Sequence, residues 1–281
     1  MKKMQKTLMI VLAVAMLLVV AYGCGGDTPS TGGSDSSDNN NSNGSSGATS
    51  VQTVEDGVLI MATNAEFPPY EFWEGTEIVG IDAEIAGAIA GKLGLTLRIE
   101  DMEFNSILAA VTAGRADMAM AGLTITEERM ESVDFSTSYA TGVQVIIVRE
   151  GSPITSVDDL FDIGGFDIGV QEATTGDLYT TWDLEDEGLA TIHRYRRGAD
   201  AVQALVTGRV DCVVIDNEPA KAFVAMNTGL QILDTEFAVE DYAIAFAKGN
   251  TELRDAVDRA LNGLIADGTV QRIIDKYIGN D

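Results

Sequence analysis

The sequence predicts an α/β fold built from two similar lobes, and two observations support this prediction. The first is an internal repeat: residues 110–121 read AVTAGRADMAMA, and residues 204–215 read ALVTGRVDCVVI. In each copy a glycine ends a helical segment, and Arg-x-Asp then leads into an apolar strand. The second is the alternation of apolar strand segments with helical ones, which parallel sheets require because crossover helices join their strands.

The first 23 residues have the composition of a secretory signal peptide. Three lysines precede an apolar stretch over residues 8–21, and the small Gly23 stands immediately before Cys24. A membrane-spanning helix is the alternative, but it needs about 20 apolar residues, and this stretch is shorter. We therefore expect an exported protein. A cysteine at the cleavage point predicts a lipoprotein, although Ala21 and Tyr22 depart from the usual lipoprotein pattern.

Residues 24–50 are predicted to comprise the lipid-anchor cysteine, Cys24, and a disordered linker. The linker consists almost entirely of Gly, Ser, Asn, Asp and Thr, so it cannot bury enough apolar surface to fold. A flexible chain of this length reaches about 30 Å, which is enough to hold a folded body clear of a bilayer. A low-complexity insert without a role is the alternative. Because the linker directly follows Cys24, we interpret it as a tether. The expected location of the protein is the outer face of the cytoplasmic membrane, or the periplasm.

The folded part of the chain begins each lobe with an apolar strand. These strands are predicted at residues 58–63 and 166–171, and each leads into a loop that carries threonine or proline. Ligands bind at the carboxyl ends of strands in open α/β sheets. Both lobes are therefore expected to direct their loops into one cleft.

The stretch of residues 121–136, AGLTITEERMESVDFS, carries the strongest signal of a binding site. It follows a buried-strand run, and Thr126 with the two glutamates after it is typical of a helix start. Arg129 then lies on the first helical turn, where its planar fork of donors fits a carboxylate. Backbone and hydroxyl groups of Gly122 and Thr124 can complete the shell.

An ordinary surface helix is the alternative for this stretch. Arg129 would then pair with Glu128 or Asp134, and such exposed ion pairs contribute little.

Charge and composition exclude several classes of function. The chain has 44 acidic and 18 basic residues and a formal net charge of −26, so nucleic acid and anionic membrane surfaces are poor partners. Cys212 lies in a β-branched run and is interpreted as a core thiol rather than a nucleophile. His193 is the only histidine, and it has no partners for a zinc site or a serine triad. We expect no metal and no cofactor.

Four stretches in order resemble the family 3 extracellular solute-binding proteins, the polar amino-acid-binding proteins of bacterial ABC importers. Residues 63–72 (TNAEFPPYEF) look like the first pocket loop, residues 80–93 (GIDAEIAGAIAGKL) like the signature helix, and residues 168–176 (IGVQEATTG) like the pocket loop of the second lobe. The fourth is residues 121–136. Ala83 and Ala173 depart from the pattern, and the resemblance covers about residues 55–278.

The resemblance implies a two-lobed type II periplasmic-binding-protein fold with the ligand cleft between the lobes. Residues 51–144 together with 238–281 would form lobe 1, and residues 145–237 would form lobe 2. The hinge would consist of two crossover segments, one leaving lobe 1 over residues 143–149 and one returning over residues 230–237.

The resemblance also implies the roles of the site residues. Asp216 would bind the ammonium of an amino acid, while Arg129, Thr124 and the Thr175 amide would bind its carboxylate. An Asx turn or helix cap is the alternative for Asp216, and core packing is the alternative for the two aromatic residues expected to cover the ligand. Those two are Phe67 and Tyr70. The expected ligand-binding residues are Asn64, Phe67, Tyr70, Ala121, Gly122, Thr124, Arg129, Gln171, Thr174, Thr175 and Asp216.

The selectivity for the ligand side chain is expected to come from Asn64 and Gln171. Family members that take cationic amino acids or glutamine commonly have aspartate where this chain has Asn64, and an amide lacks the charge that would offset the desolvation of a cation. Glu66 could restore an acidic contact if it faces inward. Uncharged polar ligands rank first and cationic ones second. Acidic ligands rank last because Arg129 is already committed.

The function implied is that of a monomeric, non-enzymatic binding component that delivers a polar amino acid to the membrane permease of an ABC importer. Two alternatives belong to other classes. An enzyme similar to cyclohexadienyl dehydratases would use Glu66 or Glu172 as general acid or base. A receptor would report the ligand to a signalling partner.

Overall fold

The computed structural model describes residues 51–279, which form two large β-sheets and a small one, with helices between the strands. The predicted signal peptide, Cys24 and the linker lie outside the described residues. Within the described range, no helix is long and apolar enough to cross a membrane.

The elements follow the alternation that the sequence predicts. Strands β1 to β7 are Val58–Thr63, Glu66–Phe67, Glu71–Glu74, Glu77–Val79, Thr96–Asp101, Met118–Ala119 and Val133–Phe135. Strands β8 to β14 are Ala140–Arg149, Phe166–Gln171, Ala190–Tyr195, Cys212–Asp216, Leu230–Ile232, Ala238–Tyr242 and Ala245–Ala247. Helices α1 to α9 are Ile81–Leu93, Ile107–Thr112, Glu127–Met130, Asp158–Asp162, Thr175–Thr180, Gly198–Val206, Asn217–Met226, Thr251–Ala266 and Thr269–Ile278. A 3-10 turn occupies Phe104–Ser106, and a π-helical turn occupies Thr181–Glu185.

The two large sheets share one local strand order. The first has the order β5-β1-β6-β14-β7, in which β1 pairs in parallel with β5 and β6. The second has the order β10-β9-β11-β8-β12, in which β9 pairs in parallel with β10 and β11. In both, the first of the three parallel strands lies between the other two, so each sheet has a switch point where loops diverge to opposite faces. The prediction of two similar α/β units is confirmed.

In both copies of the internal repeat, the aspartate just before the apolar strand has the same structural role. Asp117 accepts hydrogen bonds from the amides of Val54 and Ile60, both at 2.7 Å. Asp211 accepts from the amide of Asp167 at 2.9 Å. Each carboxylate therefore ties the start of one strand to the neighbouring central strand, which explains the Arg-x-Asp pattern in both copies.

Each large sheet is covered by apolar side chains on both faces. In β1, Leu59 and Met61 pack into one buried cluster with α1 and α8, whereas Ile60 and Ala62 pack into another with α2. Successive side chains of a strand point to opposite faces, so a continuous apolar run is what a strand buried on both faces needs. Cys212 is fully buried in the second sheet, as expected of a core thiol.

The passage between the sheets differs from the predicted crossovers. Residues 143–149 and most of 230–237 hydrogen-bond within the second sheet, because β8 pairs with both β11 and β12. The chain leaves the first sheet between residues 135 and 140 and returns between 242 and 245. Residues 140–144 and 238–242 pair antiparallel, so the two connecting segments extend the ladder of the second sheet. The division into lobes at 144/145 and 237/238 stays a prediction.

Gly80 is required where the chain turns into α1. Its φ is +124°, and a β-carbon there would lie 2.8 Å from the Pro69 carbonyl oxygen and nearer still to that of Tyr70. Gly87, exposed in the same helix, has open space at the equivalent position.

The Gly80→Ala substitution should lower the free energy of unfolding by at least about 2 kcal/mol, because main-chain atoms cannot move aside for the methyl group. The matched Gly87→Ala substitution should raise it by about 0.5–1 kcal/mol through helix propensity. Urea denaturation followed by circular dichroism measures both. Equal stability of the Gly80→Ala and wild-type proteins would show that glycine is not required at position 80.

Candidate functional site

The loops at the carboxyl ends of the parallel strands meet around one pocket. Its wall is formed by Asn64, Phe67, Phe104, Ala121, Gly122, Thr124, Arg129, Gln144, Gln171, Thr174, Thr175, Ile215, Asp216 and Tyr242. All but one of the eleven predicted ligand-binding residues are in this wall. The exception is Tyr70.

Tyr70 is a correction to the prediction. Its side chain is only 1% exposed and packs in the cluster between α1 and α8. The ring stands edge-on to Tyr242, with centroids 5.3 Å apart, and lies 5.8 Å from the ring of Phe67. Tyr70 therefore lies behind two aromatic residues of the wall, and the core-packing alternative holds for it.

Arg129 brings a buried guanidinium into the pocket. Thr126 caps the short helix α3 by accepting from the Arg129 amide at 3.1 Å, which fixes where the side chain starts. Nη1 donates to the Thr124 carbonyl at 2.8 Å and Nη2 to the Ala173 carbonyl at 3.1 Å. The guanidinium carbon lies 5.6 Å from the centre of the Phe104 ring.

No carboxylate of the described residues lies within ion-pair distance of Arg129, so neither Glu128 nor Asp134 is its partner. Burial lowers the pKa of the Arg129 guanidinium, and the nearby Glu240 carboxylate opposes that shift. A buried cation without a charged partner is costly unless a ligand supplies one. The surface-helix alternative is therefore wrong.

Ala173, which contributes one of these carbonyls, has a φ of +65°. This backbone conformation favours glycine, so an alanine there is strained. Its amide donates to Asp177 at 2.9 Å, which holds the loop in place. A strained residue is thus kept where its carbonyl can contact Arg129.

The donors expected beside Arg129 are partly used within the protein. The Gly122 amide donates to the buried carboxylate of Asp82 at 3.0 Å, so it is not available to a ligand. The Thr124 hydroxyl donates to Glu240 at 3.1 Å and is likewise committed. Both expectations are corrected for the same reason, since a buried carboxylate needs donors of its own. The Thr124 amide has no acceptor among the described residues, and the Thr175 amide, first in α5, has none within its helix.

Glu240 and Asp82 are two of the buried acids behind this part of the wall. One oxygen of Glu240 accepts from Thr124 and from Gln144, each at 3.1 Å, and the other has no partner among the described residues. Asp82 also accepts from the Tyr139 hydroxyl at 2.8 Å, and burial raises its pKa to about 6. These acids hold pocket residues from behind rather than facing the ligand.

Asp216 ends β11 on the opposite side of the pocket and is 1% exposed. One carboxylate oxygen accepts from the Glu218 amide at 3.2 Å and caps α7, and the other accepts from the Tyr242 hydroxyl. Burial raises the pKa of Asp216 to about 7, although both hydrogen bonds lower it. The helix cap and the place in the pocket wall are therefore combined in one residue.

Two amides meet at the end of the pocket expected to receive the ligand side chain. Gln171 Nε2 donates to Asn64 Oδ1 at 3.0 Å, and Asn64 Nδ2 donates to the Met102 carbonyl at 3.0 Å. Thr174 caps α5, and its hydroxyl donates to the Gln171 carbonyl at 2.8 Å. Glu66 and Glu172, the acid or base of the enzyme alternative, are not in the wall.

Sequence reasoning missed four residues of the wall. Phe104 follows the end of β5, and its position at a strand end was the signal available. Tyr242 and Gln144 lie on the paired connecting segments, and Ile215 precedes Asp216. The positions of Tyr242 and Gln144 depend on the pairing of strands far apart in sequence, which a local sequence pattern does not predict. The described residues contain no cluster of three or more His, Cys, Asp or Glu side chains suited to a metal ion.

Comparisons with known proteins agree with this geometry. The family model for bacterial extracellular solute-binding proteins, family 3, matches residues 59–280. The arginine-binding extracellular protein ArtP of Bacillus subtilis (strain 168) is 34% identical over 222 residues, which cover 78% of this chain and 85% of that protein. An ancestral arginine-binding protein bound to glutamine superposes with a TM-score of 0.74 at 37% identity, over 80% of this chain and 100% of that one.

A third relative bears on the enzyme alternative. The ancestral amino acid-binding protein AncCDT-1, a precursor of cyclohexadienyl dehydratase, superposes with a TM-score of 0.71 at 30% identity. The match covers 79% of this chain and 95% of that one. A single ancestral relative that is itself described as amino acid-binding does not favour an enzyme.

Proposed function

Because the chain belongs to the bacterial extracellular solute-binding proteins of family 3, we propose that it is the substrate-binding component of an ABC importer for amino acids. The observation that carries this proposal is the pairing of two buried, opposite groups in one pocket. Arg129 has no carboxylate partner among the described residues, and Asp216 faces the pocket from the other sheet. An amino acid zwitterion supplies the counter-charge of each.

The carboxylate of the ligand binds at Arg129. Two of the guanidinium nitrogens already donate to main-chain carbonyls, and the remaining N–H groups are left for a carboxylate. The amides of Thr124 and Thr175 add donors from the two sides of the cleft. This set replaces the shell first expected, in which the Gly122 amide and the Thr124 hydroxyl took part.

The ammonium of the ligand binds at Asp216. Its raised pKa makes the unliganded carboxyl group partly protonated near neutral pH. An ammonium beside it favours the ionised form, so binding expels the proton. The Tyr242 hydroxyl orients the carboxylate from behind.

Binding is coupled to closure of the cleft. Arg129 and Thr124 follow strands of the first sheet, whereas Thr175 and Asp216 belong to elements of the second. An amino acid therefore makes its full set of contacts only when both sides close on it, and it shifts a hinged equilibrium by that difference in affinity. The paired segments 140–144 and 238–242 are the hinge in this proposal. The closed form is then recognised by the membrane permease, and other subunits spend the ATP.

The ligand side chain meets the uncharged Asn64–Gln171 pair, which favours an uncharged polar amino acid over a cationic one. The arginine-binding relatives make arginine the first competitor to test. Acidic ligands rank last because Arg129, which is committed to the ligand carboxylate, is the one cation among the described residues that line the pocket wall.

The protein is proposed to be a monomeric lipoprotein, exported by the signal peptide of residues 1–23 and anchored through Cys24. The family is extracellular by description, and this supports export. The linker of residues 25–50 would keep the binding body near its permease.

Arg129→Ala should weaken amino acid binding more than 100-fold while the protein stays folded. The loss of one member of a buried charge pair costs about 3–5 kcal/mol, which corresponds to that factor. Isothermal titration calorimetry, after a thermal-shift screen of the twenty amino acids, measures it. The exposed Arg115→Ala is the matched control and should bind normally. A tenfold loss or less for Arg129→Ala would remove Arg129 from the carboxylate site.

Amino acid binding should release a proton from Asp216 below pH 7. The pKa of the free carboxyl is raised to about 7 and falls when the ammonium docks, so affinity declines as pH falls through 7. Calorimetry in two buffers of different ionisation enthalpy should give close to one proton released at about pH 6 and close to none at about pH 8.5. Asp216→Asn should bind weakly without this proton release. Wild-type binding at pH 6 without it would contradict the ammonium assignment.

The processed protein should begin at Cys24 and partition with membranes, because a diacylglyceryl cysteine carries the two chains that stable anchoring needs. Mass spectrometry of the mature N-terminus measures this, with Cys24→Ala as the variant that should be released or left unprocessed. An N-terminus downstream of Cys24 without lipid mass would show a freely secreted protein.

A further inference from the structure

A second recess lies beyond the amide pair that ends the ligand pocket. It shares Asn64 with the pocket and is otherwise lined mainly by charged groups. Its lining residues are Asn64, Glu66, Asp101, Met102, Glu103 and Arg197. The hydrogen bond from Gln171 to Asn64 therefore separates the pocket from a recess with three carboxylates and one guanidinium.

Arg197 directly follows a residue that contacts the amide pair. Gln171 Nε2 also donates to the Arg196 carbonyl at 3.3 Å. This hydrogen bond joins Gln171 to the backbone just beyond the end of β10, from which the Arg197 side chain extends. Arg197 is therefore one residue away from a contact of the pair that ends the ligand pocket.

The Arg197 side chain crosses from the second sheet to the first. Its Nε lies 3.2 Å from Glu66 Oε1, and Glu66 stands just beyond the end of β1. Burial raises the pKa of Glu66, Arg197 opposes the shift, and Asp101 and Glu103 add to it. Among the residues that line the recess, Arg197 is the one cation, so it neutralises part of an acidic surface that would otherwise attract cations.

We propose that Arg197 is a specificity-determining residue, whose guanidinium fills the place beside Glu66 that the cationic end of a long amino acid would take. The inference rests on the proposed function, since it concerns the side-chain end of the same amino acid site. A ligand guanidinium or ammonium that passed between Asn64 and Gln171 would meet a like charge already paired with the nearest carboxylate. An uncharged amide ends at the Asn64–Gln171 pair and does not meet that charge. Arg197 therefore selects against cationic amino acids.

The ratio of arginine to glutamine affinity tests this proposal, measured by calorimetry on the mature chain of residues 24–281. Arg197→Gln should raise the ratio about three- to fivefold, because the Arg197 side chain is 55% exposed and its like-charge contact is screened by solvent. Glu66→Gln, which leaves Arg197 without its partner, should lower the ratio. Arg196→Gln is the matched control, because Arg196 is an exposed neighbour that does not line the recess, and its ratio should stay within about twofold of wild type.

An effect of charge changes the affinity ratio in opposite directions in Arg197→Gln and Glu66→Gln, and this distinguishes it from a structural effect. A merely structural role of the Arg197–Glu66 pair in closing the cleft would weaken both ligands together and leave the ratio unchanged in both variants, which would overturn the proposal. The same holds if Arg196→Gln changes the ratio as much as Arg197→Gln does. If the wild-type protein binds no amino acid at all, the proposed function fails instead, and this outcome is seen before any variant is compared.

Discussion

Arg129 carries its charge into a site where, among the described residues, two main-chain carbonyls are its only hydrogen-bond acceptors. Carbonyl dipoles compensate a desolvated guanidinium only in part, so the pocket is poised for an anion. Much of the surrounding structure serves to keep this group in place. Thr126 caps the turn that carries it, and Asp177 holds the strained Ala173, whose carbonyl crosses to it from the second sheet. In the proposed site, the ligand rather than the protein supplies the anion that pairs with Arg129.

The two copies of the repeated unit supply opposite chemistry at one structural position. The first copy ends its strand near Gly122, which has a φ of +52° and would bring a β-carbon to 2.8 Å from the Phe67 ring. The second ends in Asp216, a carboxylate that also caps the next helix. The first strand end has a glycine, which leaves room for the Phe67 ring, and the second has a charged side chain. This asymmetry on a repeated scaffold fits the zwitterion-binding site that we propose.

Local patterns predicted the first strand of each lobe and the Thr126 cap, because these depend on residues close in sequence, and the family resemblance supplied most of the expected pocket residues. The predictions were wrong where a hydrogen-bond or packing partner lies far away in the sequence. The Gly122 amide is taken by Asp82, which lies 40 positions away, and the Thr124 hydroxyl by Glu240, which lies 116 away. Tyr70 packs against Tyr242, which lies on a connecting segment, so Tyr70 is in the core rather than in the pocket wall. The same pairing of 140–144 with 238–242 moved the passage between the sheets away from the predicted crossovers.

The contacts between protein groups across the pocket are few. Arg129 donates to the Ala173 carbonyl, Gln171 to Asn64 and Asn105 to Glu172, and Arg197 pairs with Glu66. Neutral hydrogen bonds contribute about 0.5–1.5 kcal/mol each, hydrogen bonds to charged groups about 1.5–3 kcal/mol, and exposed ion pairs about 0–1 kcal/mol. A shift from mostly open to mostly closed requires about 5.5 kcal/mol of differential binding. In the proposed mechanism the ligand adds two buried charge pairs, made only when Arg129 and Asp216 face the same ligand, and the loss of one member of such a pair costs about 3–5 kcal/mol. The charges of the ligand are then the largest single contribution to closure.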